Sequence, residues 1–332
     1  MNNPDLNTLC DRILITLRRR PTHRFPLKSL AQRHKCPERM VVSAVESLRR
    51  SGYRIIKTRR GEYRFVAAPD RLLAPEVTWG LKTSQIGKTV YAYKSVRSTN
   101  SVAAQLAEAK VPEGTIVVAE SQKKGRGRLG RSWFSPEAKG IYLSIILYPD
   151  INPAEAPGLS LVTAVALADT ISGFTGLDID VKWPNDCLIG GRKVAGILTE
   201  LSADVGHVNH VIIGVGVNAN HRRRDFPLYL APMATSLRAE TRKQVRRVEL
   251  LQQFLARFEK LYQRFRKSGL KGMRKQILQY SDVVIGKQVS LDMSGLVITG
   301  VAVDIDTNGN LILETAAGRR AFNAGEVTLQ KQ

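Results

Sequence analysis

The sequence predicts an α+β protein in three parts. Helix-period apolar stripes open the chain and give way to a short hairpin before residue 70. Strands and helices then follow without the regular strand–helix alternation of a parallel sheet. From residue 283 onward the pattern is short strands and glycine turns. A chain of 332 residues is long enough for two or three domains with at least one sizeable core.

Residues 1–68 hold the first part. Asn7–Arg20 carries Leu9, Ile13, Leu14 and Leu17 at helical spacing, and Leu27–His34 reads as a second short helix. Pro37 suits the first turn of a third, Glu38–Arg50, which should bury Val41, Val42, Val45 and Leu48 and stop at Ser51-Gly52. Strands Tyr53–Lys57 and Glu62–Val66 flank the turn Arg59-Arg60-Gly61. Three helices and a hairpin in this order predict a winged helix-turn-helix. Its third helix would enter a DNA major groove while the hairpin tip reaches phosphates. The DNA-binding candidates are Arg39 and Ser43 on the helix, Arg49 and Arg50 at its end, and Arg59 and Arg60 at the tip. Of Glu38, Arg39, Ser43, Ala44 and Ser47, only Arg39 is a strong base reader, so phosphate contact is easier to argue than sequence reading. A purely structural module is the alternative.

Charge points the same way. The net charge is +22, and residues 1–68 hold 16 Lys/Arg against 5 Asp/Glu, a net +11. From Val283 onward there are 4 against 5. A concentrated basic block suggests a nucleic-acid partner, or else a merely soluble cationic surface. No segment approaches the ~20 uninterrupted apolar residues of a membrane span; Leu159–Ile171 is too short and carries Asp169. The start, MNNPDLNTLC, lacks a signal-peptide profile, and Cys10, Cys36 and Cys187 show neither metal nor disulfide spacing. A cytoplasmic protein without a membrane partner is expected.

Residues 69–86, with Pro69 and Pro75, read as a linker. Residues 87–280 should form a largely antiparallel core. Ser98-Thr99-Asn100 precedes the helix Ser101–Ala109, and Thr115–Glu120 and Gly140–Tyr148 are strands. Gly158–Thr170 is an apolar helix. Val181–Trp183, Cys187–Ile189 and Lys193–Glu200 form a meander, His210–Asn218 is another strand, and Val245–Lys267 is an amphipathic helix. Residues 283–332 suggest a small β-barrel from Gln288–Asp292, Leu296–Asp304, Leu311–Thr315 and Arg320–Asn323.

Four motifs carry the chemistry. GRGRLGRSW, residues 125–133, matches G-x-G-x-x-G, but a dinucleotide site needs a helix opening at the third glycine, and Pro136 forbids one. Positive charge must then come from Arg126, Arg128 and Arg131, unless this is a plain basic surface loop. KWPND, 182–186, turns one strand into the next. Asp186 there either holds Mg²⁺ or pairs with a lysine. GRK, 191–193, brings Lys193 to the same small sheet. In HVIIGVGVNAN, period-two alternation sets Gly214 and Gly216 on one face. A bare patch marks close approach, by a packed helix or by a flat ligand ring.

KGRGRLGRSW, KWPND, GRKVAGIL and IGVGVN, in this order, resemble the biotin–protein ligases, specifically the bacterial ligases that double as repressors of biotin synthesis. The likeness spans nearly the whole chain. It implies a class II synthetase-like α+β ligase core, 87–280, behind the winged helix, and an SH3-like C-terminal barrel. It implies ATP and biotin as substrates with Mg²⁺, and biotinyl-5′-AMP as the intermediate. The acceptor would be a lysine on the biotin carboxyl carrier domain of acetyl-CoA carboxylase. It further implies operator DNA as a partner and homodimerisation when the adenylate is bound.

On this resemblance Ser98, Thr99, Asn100 and Gln122 would bond biotin's polar rings, with Gly214 and Gly216 leaving room for them. A plain helix cap is the alternative for the first three. Arg126, Gly127 and Arg128 would contact the biotin carboxylate and the phosphate, and Lys193 would act with Arg128 and Arg126 in catalysis. Arg131, Trp133, Asn185 and Asp186 would lie on the ATP side, Trp133 against adenine and Asp186 toward metal or the ribose. Glycines would let the loop be mobile when empty, and arginines would give it an anion to fold around. Leu129 departs from the family's pattern, where many members carry a basic residue. The reading helix is also less basic than in typical repressor forms. Residues 323–327 resemble the family's ending, as expected of a complete enzyme. A sensor of small acids without ligase activity, or a lipoate–protein ligase, would be the competing reading; the latter's serine-and-glycine run is missing.

Overall fold

The computed structural model describes residues 4–293 and 295–329, and the chain separates into two units, Met1–Asp70 and Arg71–Gln332. The first contains α1 (Pro4–Arg19), β1 (Phe25–Pro26), α2 (Leu27–His34), α3 (Glu38–Arg50), β2 (Arg54–Lys57) and β3 (Glu62–Ala67). Its sheet has the antiparallel order β1-β3-β2. The stripe Leu9, Ile13, Leu14 and Leu17 is buried, as are Val41, Ala44, Val45 and Leu48 of α3. Ala44 therefore belongs to the core rather than to a base-reading face, and Val42 is half-buried.

Arg39, Ser43, Arg50, Arg59 and Arg60 are exposed. Arg49 corrects the expectation. Its Nε donates to the Ile55 carbonyl at 2.8 Å and its Nη1 pairs with Glu46 at 2.6 Å. It fastens α3 to β2 instead of standing free for phosphate.

The second unit begins at once, and residues 71–86 are not a linker. Leu72, Val77 and Ile86 are buried, and α4 (Ala74–Thr78) forms there. The Leu72 amide donates to Glu120 at 2.6 Å, and Glu120 is itself buried against Arg247 at 2.9 Å. Gln252 donates to the carbonyls of Glu76, Val77 and Trp79, and Glu259 accepts the amides of Ser84, Gln85 and Ile86. Partners roughly 50 to 175 residues away hold this stretch, so local composition could not reveal it.

The main sheet takes in β4 (Val90–Tyr93), β5 (Ile116–Ala119), β6 (Ile141–Leu147), β7 (Asp180–Lys182), β8 (Asp186–Ile189), β9 (Arg192–Asp204) and β10 (His207–Val217). Its order is β4-β5-β6-β10-β9-β8-β7, and every pairing but β4–β5 is antiparallel. One face carries α5 (Thr99–Glu108), with Ala103 and Ala107 packed on Val117, Ile146 and Ile212. The other carries α6 (Gly158–Thr175), over which lies α8 (Arg247–Ser268); α7 (Leu237–Thr241) and α9 (Arg274–Gln279) are short. α6 runs beyond the predicted Thr170. Pro153–Thr175 is long and apolar enough to cross a membrane by length and composition, but α6 is buried almost throughout, which makes it a core helix.

β11 (Gln288–Met293), β12 (Leu296–Ile305), β13 (Leu311–Thr315), β14 (Gly318–Phe322) and β15 (Glu326–Leu329) form an antiparallel sheet ordered β14-β13-β12-β11-β15. Val289, Leu291, Leu311, Leu313 and Val327 join the same core as α6. The buried Trp183 donates to the Gly309 carbonyl at 2.9 Å, and Arg274 grips Asp304 through two contacts. The expected separate domain from 283 is thus built into the second unit.

Candidate active site

Ser98, Thr99 and Asn100 are buried. Ser98 occupies the N-cap of α5 but makes no side-chain cap bond, and Thr99 and Asn100 lie inside the first turn. The three are not a plain cap. Ser144 Oγ of β6 lies 2.8 Å from Thr99 Oγ1 and 2.5 Å from Asn100 Oδ1. Gln122 Oε1 accepts the Thr99 amide at 2.9 Å, and Gln122 Nε2 donates to Ser135 at 3.0 Å. Asn100 Nδ2 donates to Glu200 at 2.6 Å. Buried polar groups must be paired, and this network fixes a polar wall at one end of the site.

Alternation along β10 holds. Val211, Ile213, Val215 and Val217 face the α6 side, and Ile212 faces α5. A Cβ on Gly214 would run into the Asn100 side chain, and one on Gly216 into the Trp133 indole. The bare patch therefore receives a helix residue at one glycine and a flat ring at the other, both from the protein itself.

The arginine loop joins β5 to β6 as a small hairpin. Gly127 donates to the Arg131 carbonyl at 2.7 Å and Trp133 to that of Gly125 at 2.9 Å, with a 3₁₀ turn at Arg128–Gly130. Leu129 sits at that turn, exposed and at φ 53°. The loop folds around protein anions. Arg126 pairs with Glu200 at 2.9 Å, and Arg131 meets both oxygens of Glu326 at 2.6 Å. Lys193 Nζ lies 2.7 Å from Asp186 and 5.4 Å from the Trp133 ring centre.

Arg128 differs. It donates to Asn185 Oδ1 at 2.9 Å and to the Gly325 carbonyl at 3.1 Å, both neutral acceptors. Burial pushes its pKa down, against the pull of Asp186 and Glu326. Among the described residues it is the cation of this group without an ion pair.

Every ligand residue expected from the sequence, from Ser98 through Gly216, lines one cavity of about 490 Å³. The DNA candidates lie in the other unit. Sequence reasoning missed Ser144, Glu200, Gly325 and Glu326, which hold the expected residues in place, and the apolar wall of Phe134, Leu230 and Met233. Glu200 sits on β9 opposite Ile212, two residues along from Leu198, the partner of Gly214.

Asp186 pairs with Lys193 at 2.7 Å in this structure. Among the described residues no three His, Cys, Asp or Glu side chains gather to hold a metal. The donor set fits a Mg²⁺ ion only as a minor contributor, with phosphate oxygens supplying most ligands.

A buried polar wall, a slot lined by a ring and a cationic mouth define a small-molecule site built for anions. Residues 92–218 match the biotin/lipoate A/B protein ligase family, and residues 284–329 the biotin protein ligase C-terminal domain. The chain is 37% identical over 294 residues to the bifunctional ligase/repressor BirA of Bacillus subtilis, covering 89% of this chain and 90% of that one. A biotin–[acetyl-CoA-carboxylase] ligase of Paracoccus denitrificans is 33% identical over 235 residues, covering 69% of this chain and 96% of that one. The structure of biotin protein ligase from Aquifex aeolicus in complex with biotin and ATP aligns with TM-score 0.64 at 32% identity, over 74% of this chain and all of that one. The chain belongs to the biotin protein ligases.

Proposed function

We propose that this chain activates biotin with ATP to biotinyl-5′-AMP and transfers the biotinyl group to a lysine on the carrier domain of acetyl-CoA carboxylase. Arg128 carries the reading: a half-buried guanidinium with neutral acceptors and no carboxylate partner lines the cavity in which the two anions would meet. A biotin carboxylate oxygen attacks the α-phosphorus of ATP, and the bond to the bridging oxygen breaks as pyrophosphate leaves. Arg128 offsets the charge that accumulates, while Arg126 and Arg131 hold the loop over it through Glu200 and Glu326. Lys193, aimed by Asp186, faces the same oxygens. In the second step a lysine amine attacks the acyl carbon, loses its proton, and AMP departs. Ser98, Thr99, Asn100 and Gln122 hold the polar rings of biotin, Trp133 flanks adenine, and Asn185 steadies Arg128. Mg²⁺, held mainly by the triphosphate near Asp186, would neutralise phosphate charge.

Incubation of the purified chain with ATP, Mg²⁺, biotin and a carrier domain should give covalent biotin on that domain, with lipoate in parallel giving none. Labelling by lipoate alone would overturn the reading.

The first unit is read as a winged helix that binds operator DNA, with Arg50, Arg59 and Arg60 on phosphates and Arg39 on bases. The C-terminal sheet is read as an SH3-like barrel whose Gly325 and Glu326 position the loop. DNA affinity should rise when biotin and ATP are both present, through a homodimer, and fall steeply with salt. Gel-shift titrations at two salt concentrations check both.

A further inference from the structure

A second cleft, of about 320 Å³, shares Phe226 and Ala234 with the first. Arg192, Arg222, Arg223, Arg238 and Arg242 line it, and Glu240 is the carboxylate among its lining residues. Arg192 pairs with Glu240 at 2.8 Å, and nearby Asp225 pairs with Lys139 at 3.0 Å. Among the described residues, Arg222, Arg223, Arg238 and Arg242 make no ion pair with a carboxylate. Like charges held on one wall repel. Ser236 donates to the His221 carbonyl at 2.6 Å, and the His221 ring stacks on Phe226 at 5.0 Å. The segment after Phe226 runs straight to the first cavity: Lys193 exchanges backbone hydrogen bonds with Met233 and Thr235. Along that segment Leu228, Tyr229 and Met233 are exposed by 93%, 69% and 61%.

We propose that this arginine cleft, with the apolar rim of Leu228, Tyr229 and Met233, docks an acidic face of the protein whose lysine is modified. The inference rests on the biotin-transfer reading and adds where the macromolecular substrate sits. A wall of unpaired cations suits carboxylates, and exposed apolar side chains beside it suit a folded protein surface rather than a phosphate backbone. The shared wall places that partner where its lysine enters the first cavity.

The test uses the full chain with the paired substitutions R222E/R223E and R238A/R242A, and with R222K/R223K as the charge-preserving control. Three rates are measured: pyrophosphate–ATP exchange with biotin, biotin transfer to hydroxylamine, and transfer to an isolated carrier domain. The carrier KM should rise about tenfold in both charge-removing variants, and its salt dependence should flatten. Exchange and hydroxylamine transfer should stay within about twofold of wild type, as a rim charge acts on encounter and not on chemistry. The lysine control should keep a near wild-type KM. An unchanged carrier KM, or exchange falling together with it, overturns the proposal. So does a loss confined to DNA affinity, which would make the wall a nucleic-acid contact. Absence of exchange in the wild-type chain would instead sink the biotin-activation reading, and this inference with it.

Discussion

The three loop arginines look alike in the sequence and are unlike in the structure. Arg131 is an exposed member of a salt bridge, worth little by itself. Arg128 is the desolvated one. Arg128→Ala should therefore lower pyrophosphate–ATP exchange by about a hundredfold or more, and Arg131→Ala by less than about tenfold. Arg128→Lys should not rescue, because an ammonium cannot span Asn185 and Gly325 as a planar fork does. Equal losses at both arginines would contradict this account. A second residue-scale prediction concerns His221, fully buried beside Phe226 and Phe134 with neither ring nitrogen hydrogen-bonded among the described residues. Burial brings its pKa from 6.5 down to about 4, against the pull of Asp225. Between those values the unfolded chain binds the proton and the folded chain refuses it. The stability is thus fully present above pH 6.5 and lost as pH falls toward 4, by on the order of 3 kcal/mol. Replacing His221 with Phe should flatten the decline in Tm between pH 7 and pH 5; an unchanged slope would show that other groups set it.

At the scale of elements, what was legible followed local periodicity. The stripe of α1, the alternation of β10 and the amphipathic α8 announce themselves because 3.6- and 2-residue repeats report which side meets the core. That the motif residues line one cavity was legible for a related reason, since each lies in a contiguous run whose chemistry is local. Their supports were not. Ser144 stands 44 residues from Asn100, and Glu326 stands 195 from Arg131. The stretch 71–86 failed for the same cause, being organised by side chains of α8. Glu259 is the strongest of these: burial raises its pKa, but three backbone amides outweigh that and hold it below the ordinary range. The stabilisation is present above the ordinary carboxylate range and is lost as pH falls through the lowered value. Glu259→Ala strands three amides and should cost roughly 2–4 kcal/mol, read as a lower urea midpoint for the second unit. Glu259→Gln should recover part of it by keeping one acceptor oxygen.

The whole molecule divides its charge as it divides its fold. Half of the net +22 lies in residues 1–68, within a unit that has its own core of α1, α3 and three strands. The second unit starts with its own anchor, since the buried Glu120–Arg247 pair binds the Leu72 amide. The described residues that line the cavity, from Ser98 to Leu329, all belong to the second unit. A chain beginning at Arg71 should therefore keep pyrophosphate–ATP exchange and carrier labelling within a few-fold of the full chain. The same truncation should abolish salt-sensitive DNA binding, because the exposed Arg39, Arg50, Arg59 and Arg60 leave with it. If the shortened chain melts cooperatively near the full-length temperature yet loses exchange, the chemistry depends on the basic unit, and independent action of the two would be wrong. If it keeps DNA affinity, the arginines of the second unit are the polyanion contact, and the reading of α3 fails with them.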